Sequence, residues 1–569
     1  MKFRWSIAPS QPLFTAKIAV EQKASPLLAQ CLWNRGISEP EQVDRFLGPR
    51  LKNLADPFLI PNMQIAVERL LLAREKNQSI VIFGDYDVDG VSSTALLTEF
   101  LRALGWRIDF YLPNRFDEGY GLSQDAVENC LKKFKPELFL AVDCGSTAVA
   151  TIGWLSERQI DVIVLDHHQV SDPAPNAVAL VNPQLGANYR ELCSVGLAFK
   201  LAHAVLKRAR ELGLPGTAEY DLRPMLDFVA LGTIADIVPL NGENRILVTC
   251  GLERLNCTER PGLIALKSVA QIENALGPRE VGFQLAPRLN AAGRLETAED
   301  ALNLLLARDL AEAEPIAQRL DSCNRERQKI ERGITEEVIG AIKARFNPET
   351  DFFLIEGQLL WHIGVVGIVA SRVMHEFYRP AIILGGEGAE WRGSGRSIEG
   401  FDLAAALRKC DDLLLRHGGH AMAAGLSIDS EKVDALRCRL NEIARTTLTA
   451  EQLKPVLRID AEISLSDLNL ERVEELERLE PHGPANPSVQ LVARKVSHQR
   501  PPQRMGKENQ HAKFHVTDGK QTFEAVWWNC GKDASFPKVM FDLAFAPQIN
   551  EYNGNRRVQL KVLDWHAIE

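Results

Sequence analysis

Short, mainly apolar runs alternate with helically spaced segments through the first half of the chain. Ile80–Phe83, Ile108–Leu112, Leu138–Val142, Val162–Leu165 and Val178–Val181 have the pattern of strands buried on both faces. Between most of them, apolar residues recur at three- and four-residue steps, as in Val91 to Leu104. This rhythm predicts a mostly parallel sheet covered by helices. From Asp309 to Phe346 one apolar stripe (Leu310, Ile316, Leu320, Ile330, Ile334, Val338, Ile342) predicts a single helix. At about 1.5 Å per residue it spans ~55 Å and reads as a connector, with the run NRERQK (324–329) facing solvent. Phe352–Ile355 opens a second α/β segment that reaches about Thr447. Beyond Pro455 come short alternating runs, Val489–Val492, His515–Thr517, Thr522–Trp527, Leu543–Ala546 and Val558–Val562, which predict a small β-barrel. The expected division is a helical lead-in at 1–50, a sheet domain at 51–305, the connector at 306–346, the second α/β domain at 347–450 and the barrel at 451–569.

Composition narrows the setting. With 569 residues, 46% hydrophobic and 25% charged, the chain is an ordinary multidomain globular protein. No apolar run approaches the roughly 18 residues of a membrane span. The first residues, MKFRWSIAPSQPLFTAKIAV, lack the unbroken apolar core of a secretory signal. The ten cysteines form no CxxC pair, so neither a zinc site nor a disulfide framework is expected, and a reducing cytoplasm is the favoured location. A net charge of −9 argues against indiscriminate coating of DNA, but leaves local basic grooves open.

The chemistry gathers where strands end. Ile80–Phe83 runs into Asp85, Asp87 and Asp89, then Gly90 and a helix. A lone DxD is more often a solvated acidic turn. However, Leu138–Val142 ends in Asp143, and Val162–Leu165 ends in Asp166-His167-His168. In a parallel sheet these ends share one edge, so the groups can converge. Three carboxylates so close repel unless a cation lies among them, and hard divalent ions take such oxygen ligands. A helix-like run from Phe228 to Ala235 adds Asp236, while Asp227 reads as structural.

DYDVDG, VDCG, DHH and GTIAD, in that order, resemble the DHH phosphoesterase superfamily, and within it the RecJ-type single-strand-specific 5′→3′ DNA exonucleases. The resemblance implies a DHH catalytic domain, a companion domain of the DHHA1 type and two divalent cations, Mn2+ or Mg2+. Asp87, Asp89, Asp143, His167 and Asp236 would form the metal core, with Asp85 and His168 beside them. Some branches carry a His four residues before the position of Asp87, where this chain has Phe83, and Asp85 is a candidate substitute. His168 is left between ligand and phosphate contact. Paired cations clamp the attacking and leaving oxygens of an in-line displacement. The imidazoles must be neutral to ligate, so activity should fall in acid.

Further segments gain meaning from the resemblance. Arg115 suits a 5′-phosphate pocket, and Tyr120 an aromatic wedge beside the strand. In FQLAPRLNAAGRL (283–295), Arg288, Asn290 and Arg294 stand among small residues that let a phosphate backbone approach, although such arginines can equally pair with acids such as Glu296. In the second α/β segment Ser394 and Arg396 would face the 5′ phosphate and His420 would grip the strand, with the cleft between the lobes as the active site. The barrel is expected to be of OB type. Its basic stretch (Arg494, Lys495, Arg500, Arg504, Lys507, Lys513), read as a loop near Trp527 and Trp528, suits single strands.

These readings make the chain a metal-dependent exonuclease that takes single-stranded DNA with a 5′ end and releases 5′-mononucleotides. The resemblance adds roles in recombination and repair, a single-strand-binding protein and a helicase as partners, and a monomeric state. Three rivals stand beside it: a DHH phosphodiesterase for short oligonucleotides or cyclic dinucleotides, a non-catalytic DNA-binding replication scaffold, and a barrel-based strand binder with a vestigial nuclease, which only an assay excludes. The long C-terminal extension opposes the first, and the intact set of acids and histidines opposes the second.

Overall fold

A computed structural model describes residues 3–114, 117–119, 121–386, 388–532, 535–537 and 539–568. All five apolar runs of the first half are strands: β1 (Ser79–Phe83), β2 (Arg107–Tyr111), β3 (Leu138–Val142), β4 (Asp161–Leu165) and β5 (Ala179–Val181). They pair in parallel in the order β2-β1-β3-β4-β5. The side chains of β1, β3 and β4 are buried to both sides: Ile80, Ile82, Leu138, Leu140 and Ile163 enter one core, Val81, Phe83, Phe139, Ala141 and Val164 another, whereas the edge strand β2 exposes Arg107 and Asp109. Burial on both faces explains why these strands read as continuous apolar runs. Helices α1 (Val88–Ala103), α2 (Ser194–Glu211), α3 (Leu226–Ala235) and α4 (Ala286–Leu295) follow, with α1, α2 and α3 packed on one another.

The connector is one 36-residue helix, α5 (Leu310–Arg345). Its polar run does not all face solvent as expected. Asn324 and Arg327 are buried. The spacing 324-327-331 puts both on the inward stripe with Glu331. There Arg327 donates to Asn324 at 2.8 Å and to Glu331 at 2.5 Å, and Arg372 also reaches Glu331.

The chain falls into two compact units, Met1–Ser6 with Ser322–Leu457, and Ile7–Asp321 with Arg458–Glu569, the division lying within α5. The first contains a five-stranded sheet in which Leu354–Gly357 and Ala381–Gly385 are parallel, and Glu390–Arg396, Ala423–Asp429 and Leu414–Gly419 continue antiparallel. The second joins the parallel-sheet domain to the barrel. Leu491–His498, Phe541–Tyr552, Asn555–Ala567, Thr522–Trp527 and His511–Thr517 pair in succession, and Leu491–His498 also pairs with His511–Thr517, which closes the ring as an OB-type barrel requires.

The lead-in helices share a core with this barrel. Ile18, Leu28, Leu32 and Val43 pack with Leu491, Phe514, Phe541 and Leu560. Arg245 fastens lead-in, sheet domain and barrel together, donating to the carbonyls of Phe46 (2.8 Å), Leu479 (2.9 Å) and Glu480 (2.6 Å). Burial pushes its pKa down to about 10, yet the guanidinium stays charged because carbonyls meet it on every side.

Candidate metal centre

The groups expected at the strand ends do meet. Asp85, Asp87 and Asp89 follow β1, Asp143 follows β3, and Asp166, His167 and His168 follow β4. Parallel pairing puts all three ends on one edge of the sheet. Asp236 arrives separately, as the C-terminal cap of α3. Nε2 of His167 lies 3.5 Å from Asp236, 3.6 Å from Asp143 and 4.0 Å from Asp89. Asp85, Asp87 and Asp143 form a second group whose ligand atoms all lie within 4.8 Å of one another, and Asp143, His167 and His168 a third.

Local geometry aims these side chains. Asp87 is both the N-cap of α1 and part of the rim, accepting from the N–H groups of Asp89 (2.9 Å) and Gly90 (3.2 Å). Gly90 is obligatory for the turn, since an added Cβ would lie 2.6 Å from the Asp85 carbonyl. Asp85 is buried and accepts the Tyr86 N–H at 2.8 Å. Asp143 holds a left-handed φ of +62°, a conformation that Asp tolerates at a cost of order 1 kcal/mol.

The N-terminus of α2 completes the rim. Asp89 accepts the N–H groups of Ser194 (2.7 Å) and Val195 (2.9 Å), and the Ser194 hydroxyl donates to Asp143 at 2.9 Å. A helix N-terminus favours a carboxylate there. The sequence reading did not single out Ser194. A small polar residue heading an apolar helix is its only local signal, and Asp89 lies 105 positions away.

Asp166 was likewise not assigned a role. It is buried and accepts Nδ1 of His168 at 2.7 Å and the N–H groups of Ser146, His167 and His168. Burial works against the His168 imidazolium, but the bond to Asp166 outweighs it and lifts the pKa to about 9. Burial, followed by repulsion from His168, lowers His167 to about 4, so His167 is neutral and its Nε2 lone pair is available to a cation. Burial and then the neighbouring carboxylates push Asp143 well above the usual range, Asp236 to about 9 and Asp89 to about 7. Nε2 of His167 and Oδ2 of Asp236 are buried and make no hydrogen bond among the described residues. Crowded oxygens, a neutral imidazole and two buried atoms without hydrogen bonds fit divalent cations.

The remaining expected residues divide. Arg288 is not free for phosphate: its guanidinium pairs with Asp321 at 2.9 Å and donates to the Gln284 carbonyl. Pairing with an acid is the expected alternative, but the partner is Asp321 and not Glu296, and the segment is helix. Asn290 accepts the Val88 N–H at 3.1 Å, which braces the acidic turn. Gly293 lets α4 press on that turn, because an added Cβ would meet the Tyr86 carbonyl at 2.9 Å. Arg294 is half-buried on the same helix. Arg115 and Tyr120 lie outside the described residues. Asp227 is structural as read, buried against Arg260 at 2.8 Å.

In the other unit, Arg396 donates to the Ser394 hydroxyl at 2.9 Å. A Cβ added to Gly367, in the first turn of helix Val366–Phe377, would lie 2.9 Å from Ser394 Oγ and 3.2 Å from Arg396 Nη2. An arginine, a hydroxyl and a helix N-terminus thus adjoin, a combination suited to phosphate. His420 is exposed.

In the barrel the basic stretch is not one loop. Arg494 and Lys513 sit on strands and pair with acids, Arg494 with Glu462 and Asp542, and Lys513 with Glu524. Trp527 is half-buried against Phe536, while Trp528 is 47% exposed, with its edge toward His511.

Comparison with known proteins agrees with this geometry. The DHH family N-terminal domain matches residues 79–233, the DHHA1 domain 350–446 and the RecJ OB domain 459–564. The single-stranded-DNA-specific exonuclease RecJ of Dickeya dadantii is 36% identical over 96% of this chain and 97% of its own length. That of Bacillus subtilis is 38% identical over 99% of this chain and 71% of its own length. The chain belongs to the RecJ family. A crystal structure of RecJ from Thermus thermophilus in complex with Mn2+ superposes with a TM-score of 0.86 at 30% identity, covering 100% of this chain and 80% of that one. A Mg2+ complex from the same organism gives a TM-score of 0.79 at 28% identity, covering 100% of this chain and 79% of that one. Among the described residues, no helix is long and apolar enough to cross a membrane.

Proposed function

We propose that this RecJ-family chain is a divalent-metal-dependent exonuclease that shortens single-stranded DNA from its 5′ end and releases 5′-mononucleotides. The observation that carries the reading is the His167 imidazole, neutral and without a hydrogen bond at Nε2 among the described residues, facing Asp89, Asp143 and Asp236 within 4.0 Å. Asp89, Asp143, His167 and Asp236 would hold one cation, and Asp85, Asp87 and Asp143 the other. Paired Mn2+ or Mg2+ ions supply Lewis acidity to the scissile phosphate and a strong nucleophile near neutral pH.

The protein's own groups do the rest. Ser194 and the N-terminus of α2 hold Asp89 and Asp143 in register, and Asn290 fixes the acidic turn. His168, whose ring is held by Asp166 and favours its protonated form, would donate to a phosphate oxygen. Ser394 and Arg396 would grip a terminal 5′ phosphate, Arg115, Tyr120, Arg294 and His420 would line the strand, and Trp528 would stack a base farther along it. Arg288 is dropped from this set because it is already paired. The same reading makes the chain a cytoplasmic monomer that works in recombination and repair beside a single-strand-binding protein and a helicase.

The test is digestion of end-labelled single- and double-stranded DNA and RNA with Mn2+, Mg2+ or chelator. Mononucleotides from the 5′ end of single-stranded DNA alone, only with metal, are the expected products. Release from the 3′ end, or hydrolysis in chelator, would overturn the reading.

A further inference from the structure

A cavity of about 500 Å³ opens within the second compact unit, where lead-in helices, sheet domain and barrel domain meet, and it shares no residue with the metal rim. Its size is that of a small-molecule site. Ile37, Phe46, Tyr189 and Ile246 give it aliphatic and aromatic walls. Several of its charged groups are already engaged. Arg35 meets Asp460 at 3.2 Å and Asn486 at 2.7 Å, and Arg245 is held by carbonyls. Glu243 meets Lys200 at 2.8 Å and accepts the Ala55 N–H at 2.6 Å.

Other polar groups of the lining are left over. Among the described residues, the side chains of Arg45, Asn53 and Asn241 and the hydroxyl of Tyr189 make no hydrogen bond or ion pair. Asn241 heads the helix Gly242–Asn256 without capping it, and the N–H groups of Gly242, Glu243 and Asn244 meet no acceptor there. Glu191 stands beside this helix head, since a Cβ added to Gly242 would lie 2.8 Å from its carboxylate. An unpaired guanidinium and free backbone donors suit a phosphate. An acid, two amides and apolar walls suit the polar edge and flat faces of a base. Inorganic phosphate would use the first set alone and leave Glu191 and the apolar walls unmatched.

The walls of this cavity are tied to the rim. Asn244 Nδ2 donates to the carbonyls of Glu191 (2.6 Å) and Pro239 (3.0 Å), joining the segment that enters Ser194 to the one that leaves Asp236. Gln184 Nε2 donates to the carbonyls of Arg190 and His167, both at 3.3 Å. Ser194, a few residues past Glu191, steadies Asp143. Asp143, Asp236 and His167 are thus each linked to the cavity's walls by short stretches of chain and hydrogen bonds.

We propose that this cavity is an effector site for a nucleoside 5′-monophosphate, and that filling it steadies the metal rim. The inference rests on the nuclease reading above, whose product has this chemistry, and adds regulation to it. One ligand would brace the segments on both sides of the rim, so nucleotide and cation should tighten each other's binding by the same factor.

The full-length chain tests it by equilibrium dialysis in chelator with labelled dTMP, dGMP and AMP. Wild type should bind a nucleotide. Arg45→Glu should weaken that binding at least about tenfold, Arg45→Lys less than about threefold, and Asp143→Ala should leave it unchanged. In calorimetry, saturating nucleotide should raise the Mn2+ affinity of wild type about fivefold and that of Arg45→Glu not at all. Tighter binding of the deoxynucleotides would identify the released product as the source of the effector, and tighter binding of AMP the ribonucleotide pool. Binding that survives Arg45→Glu but is lost in Asp143→Ala would put the nucleotide on the rim and overturn the effector site. So would absent binding, or a Mn2+ affinity that nucleotide leaves unchanged. If wild type fails to shorten single strands while these binding results hold, the nuclease reading falls and the effector site stands.

Discussion

At the carboxyl edge of the sheet, buried Asp89 and Asp143 and half-buried Asp236 gather around His167, and burial and repulsion raise their pKa values. In the barrel, Arg494 and Lys513 sit on strands and are neutralised by Glu462, Asp542 and Glu524. Both regions are charge-rich in sequence, and the fold treats them oppositely. Paired surface charges contribute little to stability and leave little net field. Buried like charges are costly unless something of opposite sign joins them, so their persistence marks a binding site. Charge density in the chain therefore locates function only after the pairing of each charge is known.

The contrast can be broken most sharply at Asp143, which belongs to two of the three groups of ligand-type atoms. Asp143→Ala should reduce hydrolysis of a labelled single strand by at least about a thousandfold, while binding of the strand in chelator changes less than about threefold. Loss of binding with surviving hydrolysis would reverse the assignment. Ser194→Ala removes only the hydroxyl that steadies Asp143 and should cost about 10–100-fold in Mn2+ affinity by calorimetry, with Ser194→Thr recovering most of it.

Arg396→Ala should slow 5′-phosphorylated strands about tenfold more than 5′-hydroxyl strands, because the guanidinium beside Ser394 is assigned to the terminal phosphate. Equal losses would remove that pocket from the proposal.

The pH dependence has a definite sign. Asp89, Asp143 and Asp236 bind protons more tightly in the folded chain than in the unfolded one, so chelated protein should lose stability as pH rises from about 5 to about 9. Cations displace those protons. The stabilisation produced by Mn2+, read as a rise in melting temperature, should therefore grow over the same interval, reaching ~2.7 kcal/mol where the ion is a hundredfold above its Kd. A shift that is constant with pH would mean these carboxylates are not the ligands.

The smallest effects separate the barrel's residues from one another. Trp528→Ala should weaken long single strands by about 1–3 kcal/mol in anisotropy titrations, whereas Arg494→Ala, already paired with two acids, should change binding by less than about 0.5 kcal/mol. The reverse order would show that the paired arginine, and not the exposed ring, meets the strand.

Much of this was readable from the chain. The five strands, the connector and the barrel strands follow from periodicity, because residues buried on two faces or one leave that trace. The acids and histidines were visible because three apolar runs end in them. Less legible were groups whose meaning depends on a distant partner or on which face of a helix is covered. Arg288 looks like Arg294 in sequence, but it meets Asp321. Asn324 and Arg327 read as a solvated face, yet they turn inward to Glu331.

By itself, the order of residues determined which segments are strands and helices and which side chains of metal-ligand type stand at their ends, since those depend on local spacing and burial pattern. Only the tertiary structure decided that Ser194 steadies Asp143, that Asp166 sets the charge of His168, and that the lead-in helices share the barrel's core. Each of these is a contact between residues distant along the chain, or an effect of burial and packing, as for Asp166 and His168, which are near neighbours whose pairing matters because both are shielded from water. Local spacing carries no information about such contacts, because the same dipeptide or helix face would read identically with any partner opposite it.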